Sequence, residues 1–399
     1  MVFKLIKPAP LTEQVRSRDG FTYLYRGMKI IGWLPPMDGI WRYVYLSWTV
    51  MTFVWSTTYL PLGFLGSYMT QIKLFSPGEF LGSLQVCFNA YGSSVKVVIT
   101  YLQLWRLIKA KVLLDKLDIR CKSLEEREKI HKTVARCNQA FLIFTFVYCG
   151  FAGSTYLSSV LSGHPPWQLY NPLIDWHDSK LKLWIVSTLE YMVMSGAVLQ
   201  DQIADTYPLM YTLILRAHLD ILKDRIRKLR TDDKMTENEN YEELVNCVLD
   251  HKLILKYCTL IKPVISGTIF VQFLLCGLVL GLTLISLFFF SDLWAGIASL
   301  FYVLTILMQT FPFCYTCNFI MDDCDDLANA IFQSKWIDSD SRYQSTLLYF
   351  LHNVQQPITF IAGGIFPISM STNISVAKFA FSVMTIVKQM NIADKFKTD

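Results

Sequence analysis

Residues 263–291 read PVISGTIFVQFLLCGLVLGLTLISLFFFS, with no Asp, Glu, Lys or Arg anywhere in the run. A bilayer core about 30 Å thick needs roughly 20 apolar residues of helix, so this stretch is long enough to cross one. The pattern repeats outward from it. Leu293 to Met321 is equally clean, set off by the single charge Asp292, and so are Tyr43 to Ile72 and Asn138 to Ile174. Three more runs are each interrupted once: Phe80 to Trp105 by Lys96, Leu183 to Gln200 by Glu190, and Phe366 to Val387 by Lys378. These runs predict an all-α integral membrane protein with seven spans, at 43–67, 80–105, 138–161, 183–203, 263–290, 293–319 and 366–388. A closed β-barrel is the other backbone solution in lipid, but these runs are too long and lack strict alternation.

Composition points the same way. Of 399 residues, 53% are hydrophobic and 17% charged, with 27 Phe, 20 Tyr and 10 Trp. Soluble domains carry about 25% charge, and this much apolar surface exceeds what one globule can hide. Collagen-like, disordered and nucleic-acid-binding classes are excluded, and the net charge of +5 is modest. No apolar signal-peptide core precedes residue 40, so no cleaved leader is expected. Phe21 to Leu34, with Arg26 and Lys29 among aromatics, suits either an interfacial helix or a plain linker.

Basic residues orient the chain, because Lys and Arg accumulate on the cytoplasmic side of short loops. The N-terminus carries 6, the second and fourth loops 10 each, and the sixth loop 2, against 6 in all on the other side. The expectation is a cytoplasmic N-terminus and an extracellular C-terminus. The ten cysteines sit in spans or on the basic side, so no disulfide framework is expected. The cytosolic parts are more than connectors. Tyr207 to Leu229 continues the fourth helix, Tyr241 to Ile261 resumes an amphipathic helix, and Tyr343 to Val354 is a third. Such helices bury their apolar stripes in a cytosolic anchor bundle. The chain thus divides into 1–42 (cytosolic), 43–206 (spans one to four), 207–262 (helical extension), 263–321 (spans five and six), 322–362 (anchor helix) and 366–399 (last span and tail).

No enzyme signature is present: no phosphate loop, nucleophile elbow or HExxH. Cys314, Cys317 and Cys324 lack a closely following His, so no metal or other cofactor is expected. The loop Gly163 to Asp178 contains His164, Asp175, His177 and Asp178 but is rich in Pro and aromatics, and reads as a structured cap. Asn373-Ile374-Ser375 is a glycosylation sequon at membrane depth. Charges inside spans are functional candidates. At 1.5 Å per residue, Lys96 and Asp201 lie at matching depths of ~24 and ~27 Å, which makes them a candidate pair. Glu190 is only ~10 Å in, facing either a polar cavity or the headgroups. On the seventh span Lys378, Ser382, Ile386 and Gln389 recur at steps of 4, 4 and 3, one polar stripe. The stripe could line a pore or make an ordinary helix contact.

Phe311-Pro312-Phe313-Cys314-Tyr315-Thr316-Cys317-Asn318 resembles the end of the sixth helix in insect odorant receptors. The Gln-Ser-Lys-Trp stretch at 333–336 resembles the motif before that family's last helix. Ala380-Phe381-Ser382-Val383-Met384-Thr385 is similar to the last helix itself, with Phe and Val where two tyrosines are common. The resemblance covers essentially the whole chain and is to a fruit-fly-type tuning receptor, not the shared co-receptor. It implies a ligand-gated, non-selective cation channel, a heterotetramer with the olfactory co-receptor in the plasma membrane of olfactory neuron dendrites. It also implies that the polar stripe lines the pore, with Ile386 as apolar constriction and Gln389 as polar ring. A metabotropic seven-helix chemoreceptor, a gustatory-type channel and a transporter are the competing classes.

The ligand implied is a small volatile odorant, held in the outer half of the second, third, fourth and sixth helices. On the second helix Cys87, Ala90 and Tyr91 are candidate contacts, and on the third Cys149, Ala152 and Tyr156, at steps of 3 and 4. Tyr191 and Met194 on the fourth and Phe301 and Tyr302 on the sixth complete the set. The partners expected are therefore odorant, co-receptor and membrane lipid, with no nucleic acid.

Overall fold

A computed structural model describes residues 4–36, 39–71, 75, 77–291 and 293–389. The expected extracellular tail and Asp292 fall outside the described residues. The chain begins with a 3-10 turn, Ser17–Phe21, and α1 (Thr22–Ile30). The first span is α2 (Trp41–Val54) and α3 (Leu60–Gln71), joined without interruption by a π-helical turn, Trp55–Tyr59. Pro61 accounts for that turn. It offers no N–H to the carbonyl four residues back, and widening the helix by one residue absorbs the mismatch.

The second span, α4 (Pro77–Leu102), breaks at Gln103 and continues as α5 (Leu104–Asp118). The third and fourth are α6 (Leu124–Ser162) and α7 (Lys180–Arg227); the fifth and sixth are α8 (Glu237–Phe289) and α9 (Leu293–Phe332). These helices run far beyond a bilayer because their ends are capped in solvent. Ser123 and Thr236 open α6 and α8 with reciprocal capping boxes to Glu126 and Glu239, and Gly163 closes α6 in the left-handed region at φ +87°.

The main helix pairings are α6 with α7, α4 with α8, α7 and α6 with α9, and α11 (Met370–Gln389) with α8. Large apolar side chains such as Leu62, Phe146, Leu157, Met192, Leu274 and Leu300 point outward, while Lys96, Asp205, Gln272 and Gln309 are buried. That inversion is the mark of a bundle whose solvent is lipid. Among the described residues α6, α7, α8, α9 and α11 are each long and apolar enough to cross a membrane.

The first and last spans are where expectation and structure part. α1 does not lie free at an interface: Leu24 and Met28 are fully buried, and one core cluster holds them with Phe141 and Tyr211. Its polar anchor is Ser17, whose hydroxyl donates to Asp118 Oδ1 at 2.6 Å while its N–H donates to Oδ2 at 2.7 Å. His218 Nε2 sits 3.0 Å from the same hydroxyl. Burial pushes Asp118 up to about 6 and His218 down to about 4, so the ring is neutral at pH 7. The seventh span does not begin at Phe366. Phe366–Pro367 pairs with Ile361–Ala362 in a two-stranded hairpin, and helix starts only at Met370. Pro367 removes a donor that the first turn would not need, but the tight turn at Gly363 and Gly364, at φ +59° and +72°, commits the chain to a hairpin.

At the basic end, α10 (Ser341–Val354) turns Tyr343, Leu347, Phe350 and Val354 inward. Beside it Arg225 pairs with Glu126 and Asp250, each at 2.6 Å, and Arg120 reaches Asp250 at 2.7 Å. The hairpin itself is fastened by the Gly363 N–H, which donates to Ser266 O at 3.1 Å. A Cβ at Gly363 would meet the Phe270 ring at 2.4 Å, whereas one at Gly364 would meet nothing within 4 Å. Gly363→Ala should therefore destabilise the detergent-solubilised protein by about 1–3 kcal/mol more than Gly364→Ala. Equal melting temperatures for the two variants would show that Gly363 is not pressed against Phe270.

Candidate functional site

Five helices meet at one buried ammonium. Lys96 Nζ, on α4, lies 2.8 Å from Asp201 Oδ1 and 2.7 Å from Asp205 Oδ1, both on α7. It also donates to Gln272 Oε1 of α8 at 2.7 Å. Tyr148 of α6 donates to the other oxygen of Asp205 at 2.7 Å, and Gln272 Nε2 donates to Gln309 Oε1 of α9 at 2.5 Å. Depth arithmetic names Lys96 and Asp201 only. Asp205 stands one turn beyond Asp201, and that i, i+4 spacing was the signal for it; Gln272 and Gln309 are single polar residues in otherwise apolar runs.

Above this hub lies a cavity of about 480 Å³, within the range of small-molecule sites. Its walls are Gly82, Ser83 and Val86 of α4, Phe151, Thr155, Ser158 and Ser159 of α6, and Ala295, Ala298, Ser299 and Tyr302 of α9. Gln85 of α4, Ser286 at the end of α8 and Pro166, Trp167 and Gln168 of the α6–α7 loop line it too. The space exists because small side chains face one another across it. At its edge His164 Nε2 lies 3.6 Å from Glu79.

The cap loop is held down from α7. Glu190 is 95% buried, and neither of the two surroundings expected for it is what it meets. Its carboxylate accepts from the N–H of Trp167 at 2.9 Å and of Leu169 at 2.8 Å. Trp167 and Leu169 are thereby seated in an apolar cluster with Phe64, Cys87 and Met194.

Of the ten candidate odorant contacts, Tyr302 lines this cavity. Phe301 packs beside it, with its ring close to Gly150. Ala152 is buried in α6. Cys87, Ala90, Tyr191 and Met194 belong to the cluster around Trp167, so the cap stands where α7 was expected to wall the cavity. The Tyr156 ring lies tilted against Tyr191 at 5.0 Å and its hydroxyl meets Thr188 Oγ1 at 3.3 Å. Cys149 and Tyr91 are exposed on the bundle's outside. For Cys149 the reason is angular: a step of 3 turns the helix 60° short of a full circle, enough to carry the stripe's edge from interior to lipid.

On α11 the stripe of Lys378, Ser382, Ile386 and Gln389 is wholly exposed, and all but Gln389 line a recess with Phe381 and Thr385. The opposite face docks on α8 and α9. Asn373 is buried there and accepts from Thr310 at 2.9 Å, so the sequon asparagine is already engaged. The thiols of Cys314, Cys317 and Cys324 are buried in the core.

A membrane bundle of seven spans with a cavity of small-molecule size beneath a tethered cap is the architecture of a polytopic membrane protein. The chain belongs to the insect odorant receptor family. The model of that family, described as "7tm Odorant receptor", matches residues 76–381. Odorant receptor 42b of Drosophila melanogaster is 77% identical over 100% of both chains. Odorant receptor 59b of the same fly is 63% identical over 99% of this chain and 100% of its own. The fold matches the insect olfactory receptor OR5 of Machilis hrabei, solved in complex with eugenol, at a TM-score of 0.77 over 94% of this chain and 98% of that one, with 14% identity. These relatives are odorant receptors, not enzymes.

Removing one partner of a buried ion pair strands the others and costs about 3–5 kcal/mol. Lys96→Met should leave two carboxylates facing each other in a dry core and abolish surface delivery. Adding Asp201→Asn and Asp205→Asn to it should restore delivery in part. Wild-type surface labelling of Lys96→Met alone would mean the hub contributes nothing to folding.

Proposed function

We propose that this receptor is the odorant-tuning subunit of a ligand-gated, non-selective cation channel completed by the olfactory co-receptor. The observation that carries the reading is the exposed stripe of α11. Lys378, Ser382 and Gln389 on a lipid-facing surface would be costly, so in the assembled protein that face meets water or another subunit. Four such helices around an axis form a pore, with Ile386 as an apolar constriction that gates by dewetting. The basic end supports assembly: Phe332, Ile337, Leu348 and Tyr349 are exposed there, an apolar surface suited to a partner subunit's anchor helices.

The odorant occupies the cavity beneath the cap. Its walls are mainly apolar carbon and small hydroxyls, with Gln85, Gln168, Glu79 and His164 as the larger polar groups, so recognition rests chiefly on shape and burial, with few hydrogen bonds. Each buried methylene contributes about 0.8 kcal/mol, so discrimination among homologues is graded. Opening requires only that the ligand bind the open state a few kcal/mol more tightly. The excess of Lys and Arg at the basic end supports a cytosolic N-terminus, a cavity in the outer half and an extracellular C-terminus. This is the reverse of a G-protein-coupled receptor, and the site of action is the dendritic membrane of an olfactory neuron.

The deciding experiment is odour-evoked current with and without the co-receptor, G-protein signalling blocked. Current that needs the co-receptor and survives the block is expected; its loss under the block would establish a metabotropic receptor. Replacing Ile386 by Ala or Gln389 by Glu should alter resting current or ion selectivity and leave odorant ranking intact. A change in ranking alone would move the stripe from the pore to a ligand site. An N-terminal tag should be reached by antibody only after permeabilisation; staining of intact cells would overturn the orientation.

A further inference from the structure

The three cap residues that Glu190 fastens form a partition. On one side of it is the cavity, which Trp167 and Gln168 line. On the other, Leu169 and Glu190 itself line a second space, a groove of about 920 Å³ on the bundle's flank. The groove runs between the first span and α7 and is walled by Val50, Val54, Val186 and Val193. Val50 and Val54 are exposed on the lipid-facing surface. Three consecutive residues of the cap thus border both spaces between them. Gln168 within it takes φ +48°, a conformation that a side-chain-bearing residue keeps only where its neighbours impose it. What imposes it is the carboxylate of Glu190, which takes the amide on either side of Gln168. With both amides paired, Trp167 and Leu169 are held in one apolar cluster with Phe64, Cys87 and Met194, Trp167 bordering the cavity and Leu169 the groove.

The geometry points to Glu190 as the latch of a lateral passage, by which apolar odorants dissolved in the membrane move from the flank groove into the cavity. Glu190 is a positioning residue, acting through residues 167–169, and the inference rests on the cavity being the odorant site. Apolar volatiles favour hydrocarbon over water, so a groove open to lipid samples the larger reservoir of ligand. An obstacle in a passage slows entry and exit alike and leaves the equilibrium untouched, whereas a weakened latch speeds both.

The test is patch-clamp kinetics of the receptor with its co-receptor, using a small apolar ester in rapid pulses. Glu190→Gln keeps one acceptor oxygen and should hasten deactivation after washout by three-fold or more at wild-type surface labelling. Val54→Trp, which puts bulk in the groove remote from the cavity, should slow onset and deactivation together by a similar factor with an unchanged half-maximal concentration. Wild-type rates in both variants would overturn the passage. Ser299→Phe, which fills the cavity, separates this from the wider reading: undiminished responses there would refute the cavity as the odorant site, whereas lost responses there beside unmoved rates would refute the latch alone.

Discussion

An ammonium group in the middle of a membrane bundle has no water to fall back on, so its acceptors must be brought to it by helices. Lys96 imposes that demand on this receptor. Two carboxylates from α7 and an amide from α8 answer it, and Tyr148 and Gln309 then satisfy what remains on those groups. The helices concerned pack in the order the hub needs, α4 on α8, α6 on α7, and α9 against both α6 and α7. Replacing the network by apolar residues of similar volume could be as stable. What apolar packing would not supply is register. A helix sliding by one turn, about 5.4 Å, would break every bond at the hub at once, whereas leucine against leucine tolerates such a slip.

The network lies between two regions with different solvents. Toward the basic end the same helices leave the bilayer and are held by ion pairs, Arg225 with the half-buried Glu126 and the buried Asp250 foremost. Toward the other end they spread around a cavity that small residues leave open. Rigid centre and spacious end follow from one choice of residues along α4, α6 and α9: polar groups that must be met at the hub, and Gly, Ser and Ala that fill nothing beyond it.

How much of this was legible depends on whether a feature leaves a one-dimensional trace. Seven spans are written as runs with no charge or a single one, and the helical extensions at 207–229 and 241–261 as 3.6-residue spacing. The depths of Lys96 and Asp201 follow from counting alone. The cavity has no such trace, because Gly82, Ser83, Ser158, Ser159 and Ser299 mark it by volume they lack, and small residues are as common in tight helix contacts. Glu190 was legible as a charge at shallow depth, but its partners are backbone amides, which every residue possesses. Cys149 and Tyr91 show the converse error: a helical stripe is broad, and spacing does not say which of its edges faces lipid. The start of α11 was misplaced by four residues because Phe366 and Ile368 extend the apolar run, while the hairpin that claims them is decided by paired positive-φ glycines.

Cavity and last helix are physically continuous, and the join is specific. Phe151 and Tyr302 both line the cavity and stack on each other at 4.7 Å. The same two rings belong to a buried cluster with Cys276, Val279 and Leu280 of α8 and Ala380 of α11, against which Met384 also packs. On the α8 side the contact is close because Gly277 and Gly281 let α11 approach. A ligand that turns the Tyr302–Phe151 pair must therefore repack the surface on which α11 rests. Packed interiors have few voids to absorb such a change, so the displacement passes on rather than dissipating. Coupling free energies of 1–3 kcal/mol are typical between distant sites, and two stacked rings exchanging one arrangement for another are of that order. The stack sets the direction of the effect. If the cavity takes the odorant as proposed, ligands large enough to displace Tyr302 would act on α11, and ligands that fit beside it would occupy the cavity without doing so, so that odorant size would separate agonists from silent occupants within one pocket.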